Sequence, residues 1–382
     1  MREKFKKFYP IAITVIITAI LSFMTSSAYY SGKLLLKPGG AYSFGSVESV
    51  LDKYYYGEYD KEKAYQGALK GYVASIGDPY TVYMTSEDLA EFNKLVYSNY
   101  CGIGVSVQND IENNCLLILE VFENSPAKKA GIEAGDIITK VNGTSYAGVQ
   151  LEEATKAIQG EKGTEVVVTV LKNDSGKEKD FTVIRDNVEI DTVKSKKIEG
   201  NIGYVEISQF STNTALAFTK QVDALVEDGI ESLIIDVRDN SGGITTAVES
   251  ITDCLLPKDC VIYYTSDKHG NKNYIKSKID GIDIPLVVLA NENSASASEI
   301  LVGAVKDSNR GTIVGQKTYG KGVVQQLYPL MDDTAIKVTV EKYFTPSGND
   351  INKKGIEPDV VVEMQEDKDT QLEKAIEILK NK

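Results

Sequence analysis

The chain has 382 residues, enough for two or three domains and a sizeable core. Its formal net charge of −13 argues against nucleic acid as the main partner, because phosphate binding needs a basic face. One histidine in all, His269, and the absence of any CxxC pair or His/Cys cluster leave no residues suggestive of a metal site.

Arg2, Lys4, Lys6 and Lys7 precede an uncharged stretch running from Phe8 to Gly32. A bilayer span needs roughly 20 mostly apolar residues. Residues 10–30 therefore read as a transmembrane anchor. A cleaved signal is the alternative, because Ser26-Ser27-Ala28 offers a small-x-small exit. The basic tail, residues 1–9, stays in the cytoplasm, and the rest of the chain lies outside it. Residues 31–44 read as a tether. Apolar residues at helical spacing predict helix over 45–75, within an N-terminal helical region 45–98 that is broken at Asp78-Pro79.

From about residue 100 the period changes. Strands are expected at 102–107, 116–121, 136–143 and 165–171, with short helices at 125–131 and 151–158. After 190, strands at 203–207, 232–237, 285–290, 312–314 and 335–340 accompany helices at 214–228 and 299–306. That alternation predicts a layered α/β core, followed by a last helix at 370–379. Cys254 and Cys260 are close enough in sequence to bridge outside the cytoplasm; four ordinary buried thiols are the equal alternative.

The run Ser294-Ala295-Ser296-Ala297-Ser298-Glu299 follows an apolar strand, as a nucleophilic serine commonly does. A serine hydroxyl needs a base, and lysine is the known substitute for histidine. Tyr319-Gly320-Lys321-Gly322-Val323-Val324-Gln325 offers Lys321 in a flexible glycine frame. A helix of about twelve residues carries the chain roughly 18 Å away, and a strand-like run of about seven returns it, so Ser296 and Lys321 can meet. Burial would lower the Lys321 amine from its usual value near 10.4, and Gln325 offers an oxygen to orient it. Ser296 near a helix N-terminus makes the Ala297 amide a natural oxyanion donor. The loop Arg238-Asp239-Asn240-Ser241-Gly242-Gly243, with an amide of Gly242 or Gly243, supplies the other half.

With Gly77-Asp78-Pro79-Tyr80-Thr81 and Phe344-Thr345-Pro346-Ser347-Gly348, these pieces resemble the carboxyl-terminal processing proteases, PDZ-bearing serine peptidases that are membrane-tethered or secreted. The resemblance covers residues 45–365, with one departure: Ser241 stands where relatives often have proline. It implies Ser296 as nucleophile, Lys321 as the base 25 positions later, Gln325 as third member and Asp307 as a supporting acid. It also implies a PDZ domain over 99–185, a Ser-Lys protease core over 186–365 and a C-terminal helix over 366–382. The expected fold is thus a multidomain α/β (α+β) protein, with a layered protease core, an inserted PDZ domain, helical ends and one preceding transmembrane segment.

In such an insert, Gly102-Ile103-Gly104-Val105 would give amides to a peptide's terminal carboxylate, while Ile103, Val105 and the helix from Leu151 would line an apolar pocket. The resemblance implies no metal or organic cofactor, protein or peptide substrates with apolar C-termini, and a homodimer. Residence is expected at a bacterial cell membrane with the catalytic part extracytoplasmic, or as a secreted protein. A catalytically inert PDZ scaffold is the rival reading, and intact Ser296, Lys321 and Gln325 weigh against it. An acyl-transferring or isomerising enzyme is disfavoured by the missing nucleotide fingerprint. The insert's position ahead of the core suggests that it blocks or aligns the site until a tail binds.

Overall fold

The computed structural model describes Ser22 and residues 41–97, 99–111, 113–365 and 367–381. The expected anchor at 10–30, save Ser22, lies outside the described residues, as does most of the tether. Among the described residues no helix is long and apolar enough to cross a membrane. The chain falls into two units, one ending at Ala68 and one running Leu69–Lys382.

The first unit holds α1 (Ala41–Tyr54) and the start of α2 (Lys61–Ala74). Sequence periodicity suggests one helical stretch here, but the chain breaks at Tyr55–Asp60, where Gly57 lowers helix propensity. Lys61 ties the two pieces by reaching Asp52 at 2.6 Å and Glu48 at 3.3 Å.

The second unit opens with β1 (Val82–Met84), α3 (Ser86–Tyr97) and β2 (Asn99–Gly102). An insert follows: β3 (Val105–Asp110), β4 (Cys115–Val121), the short α4 (Pro126–Ala130), β5 (Ile137–Val141), β6 (Thr144–Ser145), α5 (Leu151–Ile158), β7 (Glu165–Leu171) and β8 (Glu178–Ile184). These strands form an antiparallel sheet ordered β3-β4-β5-β7-β8, with β6 against β5. Alternate apolar side chains turn inward, and Leu116, Ile118, Ile138, Val166, Val168 and Val170 are buried beneath Ala154 and Ile158 of α5. The continuous strand expected over 102–107 is interrupted. Gly104 sits at φ 83, and a Cβ there would lie 2.3 Å from Cβ of Ser125. Then β9 (Asp186–Glu189) pairs back on β2, with Asp186 opposite Gly102 and Glu189 opposite Asn99.

The remaining chain makes β10 (Val193–Ile198), β11 (Ile202–Ile207), α6 (Thr214–Glu227), β12 (Ser232–Asp236), α7 (Thr245–Asp253), β13 (Val261–Asp267), β14 (Lys272–Lys276), β15 (Leu286–Ala290), α8 (Ala297–Asp307), β16 (Thr312–Gly315), β17 (Val323–Pro329), β18 (Ala335–Phe344), β19 (Val360–Val361) and α9 (Thr370–Lys380). Six strands form a sheet ordered β10-β11-β12-β15-β16-β19, parallel from β11 onward. One face packs Val205, Leu233, Ile235 and Val288 against Phe218 of α6, Val248 of α7 and Leu301 of α8. The other packs Ile234, Val287, Leu289 and Val314 against Ala375 and Leu379 of α9. Buried on both faces, these strands read as near-continuous apolar runs, as parallel sheets do. The expected layered α/β core is present.

A further sheet centres on β18. It carries β17 along one side and β1 and β13 on the other, with β14 outside β13. The glycine frame around Lys321 is therefore followed at once by a strand, β17, which is not among the strands expected from the sequence. All four cysteines are free thiols.

Candidate active site

Ligands of parallel sheets gather at the carboxyl ends of the strands. Two loops leave neighbouring strand ends here. The glycine loop follows β12, and the serine run follows β15. Ser296 stands at the turn into α8 with φ 57 and ψ −114, a conformation that costs a non-glycine residue on the order of 1–3 kcal/mol. A nucleophile held on a sharp strand-to-helix turn projects its hydroxyl clear of the backbone.

Of the three serines in the run, only Ser296 keeps solvent access. Ser294 and Ser298 are fully buried. Ser294 donates to the Val237 carbonyl at 2.8 Å and Ser298 to the Asn240 carbonyl at 2.7 Å. Both flanking hydroxyls thus stitch the serine run to the glycine loop. The Ala295 amide adds a third link to the Asn240 carbonyl at 3.0 Å. A Cβ on Gly242 would fall 2.8 Å from Cβ of Ser296 and 3.0 Å from the Ala297 nitrogen, so the loop lies directly against the serine. A Cβ on Gly243 would fall 1.9 Å from the Phe210 carbonyl oxygen.

The two glycine amides differ. That of Gly242 donates to Asn240 Oδ1 at 2.9 Å and is spent. Gly243 and Ala297 have no partner for their N–H groups among the described residues. The Ala297 amide follows Ser296 directly, and Gly243 follows the glycine packed against it.

Ser296 and Lys321 are joined through their main chains by a residue the sequence reading left without a role. Glu299 is buried in the first turn of α8. Its Oε2 accepts from the amides of Ser296 at 2.9 Å and Lys321 at 2.8 Å. Its Oε1 accepts from Thr318 Oγ1 at 2.6 Å and the Gly320 amide at 2.8 Å. Burial pushes this carboxyl up, and the four donors pull it back toward the charged form. Tyr343 of β18 closes the other side: its hydroxyl lies 3.0 Å from the Ser296 carbonyl oxygen and also contacts that of Lys321.

The Lys321 amine lies over the Tyr80 ring, 4.9 Å from its centre. Among the described residues it makes no hydrogen bond to Ser296 Oγ. Burial first, then the Lys337 ammonium, lowers its pKa, and Glu299 opposes the shift. Gln325 of β17 donates through Nε2 to the Val323 carbonyl at 3.2 Å and to Thr339 Oγ1 at 3.4 Å. Asp307 closes α8 at the end opposite Ser296 and touches neither Ser296 nor Lys321. Its carboxylate accepts from the Ser347 amide at 2.9 Å and the Ser347 hydroxyl at 2.5 Å, and so holds the 344–348 turn.

In the insert, Gly102, Ile103 and Gly104 are buried, and Val105 is half-buried at the head of β3. Ile103 lies wholly in the insert's core, so its side chain lines no open pocket. Val105 and Val107 of β3 and Leu151 at the start of α5 remain partly exposed over the same core. Among the described residues no cluster of His, Cys, Asp or Glu suits a metal ion.

Comparison with known proteins gives the family. Residues 201–362 match Peptidase family S41, residues 95–171 the PDZ domain, and residues 42–88 the N-terminal domain of the activating protease CtpB. The chain is 37% identical over 317 residues to the carboxy-terminal processing protease CtpB of Bacillus subtilis, spanning 82% of this chain and 66% of that protein. It is 33% identical over 369 residues to the carboxy-terminal processing protease CtpA of the same organism, spanning 95% of this chain and 78% of the relative. The solved photosystem II D1 C-terminal processing protease superposes with a TM-score of 0.51 at 31% identity, over 84% of this chain and 86% of that one. A PDZ-bearing α/β chain with these relatives belongs to peptidase family S41, the carboxy-terminal processing proteases, which are serine-type hydrolases.

Proposed function

We propose that this chain is an extracytoplasmic endopeptidase that captures protein C-termini in its PDZ groove and cleaves them with a Ser296–Lys321 dyad. The observation that carries this reading is the clamp of Glu299 and Tyr343, which hold the main chains of Ser296 and Lys321 as one unit. A half-buried, depressed amine supplies the remaining requirement, a base that is neutral when it acts.

For the reaction, the Lys321 side chain leaves Tyr80 and turns to the Ser296 hydroxyl. Its lone pair takes the hydroxyl proton as Ser296 Oγ attacks the scissile carbonyl carbon. The oxyanion is met by the amides of Ala297 and Gly243. The Lys321 ammonium then returns the proton to the leaving amine, and an acyl-enzyme remains. Water, deprotonated by the same amine, releases it. Gln325 Oε1, on the side-chain amide whose nitrogen is bonded to Val323 and Thr339, would accept from Lys321 and orient it. Asp307 acts at a distance by fixing the 344–348 turn.

Apolar C-terminal segments would add as a strand beside β3, their last side chain between Val105 and Leu151 and their carboxylate at the amides of 102–105. Residues 99–185 serve as this PDZ domain, 186–365 as the protease core, 45–98 as the N-terminal helical region and 366–382 as the C-terminal helix. Residues 10–30 anchor the chain in the cell membrane with the catalytic part outside. The end helices serve a homodimer.

The test compares the full chain in detergent with Ser296→Ala and Lys321→Ala, using an unfolded polypeptide ending in apolar residues. Loss of cleavage in both variants, with product masses defining the cut, supports the reading; equal cleavage by all three proteins overturns it.

A further inference from the structure

The dyad uses one lysine of the site, but β18 supplies a second. Lys337 is half-buried, and its ammonium lies 5.2 Å from the centre of the Phe92 ring of α3. Its cross-strand neighbours are Val82 on β1 and Leu327 on β17, both apolar. No carboxylate pairs with it among the described residues, and burial alone depresses it. A desolvated cation without a counter-ion is costly to keep, so its position calls for a reason.

The strand places it. Residues two apart on a strand share a face, so Lys337 and Thr339 point the same way. Thr339 accepts from Gln325 at 3.4 Å through its hydroxyl, and its amide donates to Thr81 Oγ1 at 3.0 Å. Thr81 follows Tyr80, whose ring carries the Lys321 amine. Lys337 therefore pairs across the sheet with Val82, two residues beyond the Tyr80 whose ring carries that amine. The other groups around Lys321 are Tyr80 with Tyr319 and Asp78 beside it, and the Glu299 carboxylate at its main chain. Glu299 favours the charged amine; among the described residues Lys337 is the cation opposing it.

We propose that Lys337 is a positioning residue for the protease reaction, its unpaired ammonium repelling a proton from Lys321 so that the latter is available as the base. The proposal rests on the reading of Lys321 as that base. Like charges disfavour each other's charged form, so removing the Lys337 charge lets Lys321 hold its proton to higher pH.

The experiment is the pH profile of kcat/KM for the full chain in detergent, with a fluorogenic peptide ending in apolar residues. Wild type, Lys337→Met, Lys337→Gln, Lys337→Arg and Lys321→Ala are compared. For Met and Gln the acid limb should move up by about 0.5–1 unit, a three- to tenfold fall at a pH below the limb, with the high-pH plateau kept. Arg should keep the wild-type limb. A plateau equal to wild type shows that the variant is folded, and the Gln variant serves if Met is not. A limb unmoved in the folded neutral variant overturns the proposal. So does a change in KM alone at every pH, which would mark Lys337 as a substrate-docking cation. Activity surviving in Lys321→Ala sinks the dyad itself, whereas an inactive Lys321→Ala beside an unmoved limb sinks only the role of Lys337.

Discussion

Around Ser296 the buried polar side chains hold main chain in place, whereas the insert is held by apolar contacts and has β3 as the end strand of its sheet. Ser294, Ser298, Asn240, Glu299 and Tyr343 each bond to the backbone of the glycine loop, the serine turn or the Lys321 segment. In the insert, a buried acceptor on β3 itself, Asn109 Oδ1, has no partner among the described residues, while Leu116, Ile118, Val166 and Val168 do the packing. The contrast matches two tasks. Transition-state stabilisation needs donors fixed before the charge develops, and a peptide edge must accept varied sequences through main-chain bonds. Damage at the first region should therefore appear in kcat, and damage at the second in KM.

The sharpest break of that comparison is Ser296→Ala or Lys321→Ala, each expected to lower turnover about 10⁴-fold while peptide binding to the insert survives. Initial rates beside a peptide titration check both halves. Next comes Glu299→Gln, which removes a carboxylate that accepts four hydrogen bonds. It should cut kcat by about 10²–10³-fold and cost roughly 2–4 kcal/mol in denaturant unfolding, because an amide nitrogen then faces donors. A third pair separates the regions directly. Gly242→Ala drives a Cβ to 2.8 Å from that of Ser296 and should lower kcat about 10²-fold at nearly constant KM. Val105→Asp at the groove should raise KM roughly tenfold and leave kcat alone.

The smallest effect concerns Lys321 and stability. Its folded pKa is depressed, so below that value a charged amine is held in a half-buried site at a cost in stability. Between the folded and unfolded values only the unfolded chain keeps the extra proton, so stability rises with pH; above the unfolded value the cost is gone. Lys321→Met should thus raise Tm by about 1–2 °C at pH 7, with the gain vanishing toward pH 11. Melting curves at the two pH values decide it.

The site was legible where its chemistry sits in a short contiguous run. Ser296, Ala297 and the glycine loop follow buried strands, and such runs are read from apolar patterning and turn residues. The first turn of α8 was legible too, but Glu299 was not, because its role depends on Thr318, Gly320 and Lys321 returning to it. Tyr343 lies in a strand whose partners are remote in sequence, and nothing local distinguishes it from a core tyrosine. The division of labour between Gly242 and Gly243 hinges on one side-chain oxygen of Asn240. In the fold, β10 was missed because Lys194, Ser195, Lys196 and Lys197 make a polar edge strand, and β17 because glycines precede it. The break between α1 and α2 was missed because apolar spacing resumes on either side of it.

The zipper of β2 on β9 has a consequence for how such proteins diversify. With Gly102 facing Asp186, the two points where the insert leaves and rejoins the rest are neighbours. A foreign recognition module whose own ends lie equally close could be spliced there as a cassette, leaving the hydrolytic machinery untouched. Retargeting, by natural recombination or by engineering, then requires only two seams.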